Sequence, residues 1–179
     1  MNIQNNIVGL VNTIDIVLEE IYMNRDYILI VIGLIITIIL LVKFIPKNKL
    51  REASVAFLFK QMIAWILGLS VVELRLIEYP VRLYPYAVKS SFAFEYFIYP
   101  SFCAIFNVHY PEKKSAFSQF MYYFYYCTAI TITEVFVEKY TNILKYIHWT
   151  WYITWITLFI TFYFTRTLYV WFFKLKQNN

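Results

Sequence analysis

The chain has 179 residues, of which 61% are hydrophobic and only 15% charged, well below the quarter or so that soluble domains carry. That composition excludes an ordinary soluble domain, and apolar runs far longer than the ~10-residue alternating segments of an outer-membrane barrel exclude that class too. The net charge of +5 sits in short clusters flanking apolar runs, which is how membrane topology is encoded, so nucleic acid is not an expected partner. What remains is an all-α polytopic membrane helix bundle in a lipid bilayer, with about five transmembrane helices and no room for a separate soluble domain.

Residues 1–22 place Ile3, Ile7, Leu10, Val11, Ile14, Val17, Leu18 and Ile21 at helical spacing, with Asp15, Glu19 and Glu20 between them. This predicts an amphipathic N-terminal helix, lying on the outer surface or binding a partner. No Lys or Arg precedes Arg25, so a cleaved signal peptide is not expected. Residues 23–179 form the expected bundle, with spans at 27–44, 55–77, 87–109, 116–137 and 147–173.

The first span is nearly unbroken Ile, Leu and Val and is closed by Lys43, Lys47, Lys49 and Arg51 around Pro46. Those cations place its end in the cytoplasm and the N-terminus outside. The second span returns outward, with Lys60 expected to snorkel to the cytoplasmic headgroups. Near its outer end Arg75 and Glu78 are spaced to pair, and Pro80 and Pro85 then stop the helix in an outer loop with Arg82.

The third span carries Glu95 about a third of the way in from outside. An unpaired carboxylate there costs ~2.5 kcal/mol or more, so it must be paired, hydrated or protonated. Pro100 removes an N–H donor and is expected to kink this helix and free the carbonyl of Tyr96. The fourth span aligns Phe120, Tyr123, Cys127, Thr131, Glu134 and Glu138 in a stripe expected to face the bundle. On the fifth, Thr150, Thr154, Thr157, Thr161 and Thr165 form a hydroxyl stripe suited to close helix packing. Cys103 and Cys127 lie in apolar runs without ligand spacing and read as small buried side chains.

On this topology Lys43, Lys47, Lys49, Arg51, Lys60, Lys113, Lys114, Arg166, Lys174 and Lys176 are cytoplasmic, ten of the sixteen cations. The bias supports five spans with the C-terminus inside. No internal repeat of the transporter kind is present.

Three helices thus deliver Glu73, Glu95 and Glu134 to the outer half of the bilayer. With Arg75, Glu78, Arg82 and Glu138 they make a candidate outer polar cluster. It reads either as a pocket, open outward, for a cation, a proton or a lipid headgroup, or as an ion-pair network fastening helix ends, with Arg75 or Arg82 holding Glu95 and Glu134. No Glu-x-x-His pair, G-x-S-x-G, H-E-x-x-H or Walker sequence occurs, so no metal, cofactor or catalytic residue is predicted. The aromatics of 122–126 and Trp149, Trp151 and Trp155 fit interfacial belts better than a ligand cage.

The strings YPVRL (Tyr79 to Leu83), FEYFIYP (Phe94 to Pro100) and E-x3-EKxTxxLKYxxWxW over Glu134 to Trp151 resemble an uncharacterised family of small multi-spanning membrane proteins from spore-forming Gram-positive bacteria, over roughly residues 50–170. The resemblance implies an integral protein of the bacterial cell or spore membrane and brings no activity with it. The expected function is a structural or accessory component of a membrane complex, with a membrane-protein partner or a second copy. The alternative is a small transporter or channel subunit.

Overall fold

The computed structural model describes the backbone of residues 2–177 and the side chains of residues 20–174. Apart from one two-residue antiparallel bridge it is helical. α1 (Asn2–Phe44) runs without a break, so the expected N-terminal segment and the first span share one helix; the side chains of its first 19 residues, on which its expected amphipathic character rests, lie outside the described ones. α2 (Leu50–Glu73), a wide π-helical segment (Phe92–Ile98) leading into α3 (Tyr99–Val108), α4 (Ala116–Tyr140) and α5 (Trp151–Gln177) follow.

Three stretches, Glu20–Phe44, Lys47–Glu73 and Trp151–Lys174, are long and apolar enough to cross a membrane. Phe92–Val108 is apolar but shorter, and α4, rich in Tyr and Thr and carrying Glu134 and Glu138, is not among them. The helical class therefore stands, and three of the described helices qualify as spans by length and apolarity.

α2 packs on α3 through a stripe of buried small residues, Ala53, Ala56, Ala64 and Gly68, with Lys60 in its middle. Spacings of three, four, four and four keep all five on one helix face, and small side chains let the two backbones approach closely. α4 packs on α5, and between them and α3 Cys103, Phe106, Tyr123, Cys127, Leu158 and Phe162 form the main apolar core.

α2 ends earlier than the sequence suggests. Arg75 N–H donates to Val72 O, and Leu76 N–H to Val71 O, both close to 3 Å, the paired bonds of a Schellman stop. Arg75 takes the left-handed position there at φ 55°, where glycine is usual. The chain then crosses one end of the bundle, Ile77 and Glu78 pairing antiparallel with Tyr146 and Lys145. Ile147 and His148 N–H both donate to Leu76 O. Fully buried Asp26 of α1 accepts from Asn142 N–H at 2.8 Å and from the Arg25 guanidinium. Loops from 74–79 and 141–148 thereby close the bundle with a cap that α1 clasps.

Candidate functional site

Beneath this cap three helical segments bring Lys60, Glu95 and Glu134 to one chamber of about 70 Å³, whose wall also includes Tyr79, Tyr99 and Thr154. Each polar group is held by a different means. Lys60, 2% exposed, donates to Thr161 Oγ1 at 2.5 Å, and its ammonium lies 4.7 Å from the centre of the Phe162 ring, an attractive cation–π position. The expectation that it snorkels to the cytoplasmic headgroups is corrected: its Cα sits on the close-packed face of α2, which points the side chain inward, where Thr161 meets it.

Glu95 projects from the π-helical segment across α2. A Cβ built on Gly68 would stand 2.7 Å from Glu95 Cγ and 3.1 Å from Ser90 Oγ, so only glycine leaves space for the carboxylate there. Tyr79 Oη donates to Glu95 Oε1 at 3.1 Å. Ser90 Oγ is buried and has no hydrogen-bond partner. π-helical turns recur at functional sites because they re-aim a side chain. Pro100 has the predicted consequence: the Tyr96 carbonyl accepts from Gln61 Nε2 at 2.9 Å.

Glu134 is the most completely coordinated of the three. Tyr99 Oη donates to Oε2 at 2.5 Å, while Tyr146 Oη and Thr154 Oγ1 donate to Oε1 at 2.6 and 2.7 Å. Trp149 Nε1 donates in turn to Thr154 Oγ1 at 2.8 Å. Burial, and then the nearby Glu95 and Glu134 carboxylates, push the Tyr79 phenol well above its ordinary value. Burial followed by Glu134 does the same to Tyr146. Both phenols therefore keep their protons at neutral pH and serve the carboxylates as donors.

The seven residues of the predicted outer cluster separate. Glu95 and Glu134 share the chamber; Glu73, Arg75 and Glu78 are exposed on the surface, and Glu138 is half-buried one turn beyond Glu134. Arg82 donates to the carbonyls of Tyr79, Val88 and Pro85 and so organises the loop after α2. Among the described residues the ion pairs are Arg25 with Asp26 and Arg166 with Glu112, so neither Arg75 nor Arg82 pairs with Glu95 or Glu134, and Arg75 does not pair with Glu78. The irregular loop offers Arg82 three carbonyls at short range, and these satisfy its fork before any carboxylate is reached.

Sequence reasoning missed Lys60, and the signal was there: it fills one slot of an Ala53, Ala56, Ala64, Gly68 stripe. It also missed Tyr79, Tyr99 and Tyr146, which carry no periodic mark. A second polar group lies at the opposite end of the bundle, where exposed Glu112 and buried Asn107 hold buried Arg166, which stacks 4.3 Å from the Tyr110 ring centre. Among the described residues no three His, Cys, Asp or Glu side chains converge to hold a metal. No protein-family model, curated protein or solved structure matches the chain.

Proposed function

We propose that this is an integral protein of a bacterial cell or spore membrane that takes up a proton or small monovalent cation in the Lys60–Glu95–Glu134 chamber, as a small transporter or channel subunit. The observation that carries the reading is the residue set: one amine and two carboxyl groups from three segments surround one cavity, and with all three ionised the set is short of one positive charge. In a low-dielectric interior such a deficit is costly, and a proton or a monovalent cation relieves it. Carboxylate, phenol and hydroxyl oxygens suit hard cations over soft ones. The π-helical placement of Glu95 brings its carboxyl group to the chamber wall and supports the reading.

The reading includes five crossings with the N-terminus outside, supported by a cation bias of nine to six once buried Lys60 is left out of the ten, and membership of the spore-former family that the motifs resemble. A second reading, an accessory component of a membrane complex, is favoured by α1, which meets the bundle along a narrow face and leaves Ile28, Ile32, Ile35 and Ile39 exposed. Reconstituted vesicles containing a pH dye, given a potassium diffusion potential, test the first reading. Wild-type protein should speed proton or sodium entry above protein-free vesicles, and Glu95→Gln should return it to that level. Wild-type vesicles no leakier than empty ones to protons, sodium and potassium would leave the accessory reading.

A further inference from the structure

A second cavity, of about 380 Å³, lies between α3 and α4. Phe94, Ile98 and Phe102 form one wall, and Tyr125, Ala129 and Ile130 the other. It opens sideways, because Tyr125, Ala129 and Thr133 are exposed on the flank of α4. Thr133 contributes little polarity, since its hydroxyl donates to Ala129 O at 2.9 Å. Glu134 is the single formally charged side chain on the cleft wall, and it is shared, with Tyr79 and Tyr99, with the chamber beneath the cap.

We infer that this cleft binds a lipophilic cation, a bulky apolar ammonium or phosphonium that enters from the bilayer between α3 and α4 and lodges against Glu134. Three observations select that class. The volume falls in the range of small-molecule sites, which are apolar with a few placed polar groups. Phe94, Tyr99, Phe102 and Tyr125 offer ring faces, and aromatic faces attract cations that have shed water. Glu134 stands six residues before the end of α4, about 9 Å below its outer end at 1.5 Å per residue, too deep for the headgroup of a two-chain lipid anchored at the interface. A carboxylate can accept about four hydrogen bonds, and three are taken, so charge attraction and not a full coordination shell would hold the guest. The inference extends the cation-chamber reading to a substrate class and rests on it only through Glu134.

The test is equilibrium dialysis of radiolabelled tetraphenylphosphonium against the purified full chain in a non-ionic detergent, with neutral triphenylphosphine oxide as competitor. Binding should saturate near one per chain and resist the neutral compound. Glu134→Gln should weaken it at least tenfold. Ala129→Phe, which fills the open side of the cleft without entering the core, should weaken it as much while Cys103 and Cys127 stay protected from thiol reagents. Glu95→Gln should bind normally, so a failed chamber, seen as unchanged ion flux in that variant, is told apart from a failed cleft. Equal displacement by the phosphine oxide would make the cleft a plain acyl-chain groove and overturn the inference. Parental binding by both Glu134→Gln and Ala129→Phe would overturn it too.

Discussion

Gly68→Ala tests the packing of the chamber most sharply. The new methyl would stand 2.7 Å from Glu95 Cγ and 2.8 Å from its Cδ, closer than real carbon contacts come, and both neighbours are buried. Overpacking of this kind costs about 1–3 kcal/mol. Displacing the carboxylate from Tyr79 forfeits a hydrogen bond to a charged group, about 1.5–3 kcal/mol. Alanine returns at most ~1 kcal/mol of helix propensity. The net loss is therefore about 1.5–5 kcal/mol, and at ~3 kcal/mol it lowers Tm by roughly 6–12 °C for a chain of this size. Gly33 is the control, because its added Cβ would meet only Ile98 Cδ1 at 3.8 Å. The assay follows the heat-induced reaction of Cys103 and Cys127, both fully buried, with a fluorogenic thiol reagent in detergent. A Gly68→Ala protein that melts with or above the parent, or a Gly33→Ala protein that falls as far, would refute the placement of Glu95 against α2.

Further outcomes follow from the same geometry. Lys60→Met should cost about 3–5 kcal/mol because it strips the balancing charge from buried Glu95 and half-buried Glu134, and adding Glu95→Gln should recover part of that loss, so additivity in a double-mutant thermal cycle would contradict a shared chamber. Arg75→Gly should stabilise the fold by up to ~1 kcal/mol, read as a slightly higher Tm, because glycine suits the left-handed stop; a loss would assign Arg75 an ion-pair role instead. Asp26→Ala should loosen the cap, read as faster hydrogen exchange at the Asn142 amide, and unchanged exchange would place that clasp elsewhere. Single cysteines at Asn5 and Gln177, in protein lacking Cys103 and Cys127, should label from opposite sides of intact cells, and labelling of both from outside would end the five-span topology.

Much of the architecture was legible because lipid leaves few options: apolar runs must be helical, and the hydroxyl stripe of α5 does turn Thr154, Thr161 and Thr165 inward. Pro100 was legible down to the carbonyl it frees, since a missing N–H has a local consequence. The stop of α2 was not, because Arg75 performs a glycine's task and composition gives no hint of it. Lys60 was misread in isolation; read with the small residues three and four positions away, it lies on the buried face. The arginine pairing failed for another reason, as irregular backbone supplies acceptors that no periodicity reveals. Glu95 and Glu134 were found by depth in the helix, whereas their phenol partners come from loops and from α3, whose approach only the tertiary structure supplies.

The central claim is that the chamber reversibly takes up one cation at Glu95. Infrared difference spectroscopy of the protein in lipid, between acidic and alkaline buffer with and without sodium, reads that carboxyl directly. A band pair of one carboxyl that changes with pH or sodium in the wild type and is missing from Glu95→Gln is the predicted result. Identical difference spectra for the wild type and Glu95→Gln would contradict it.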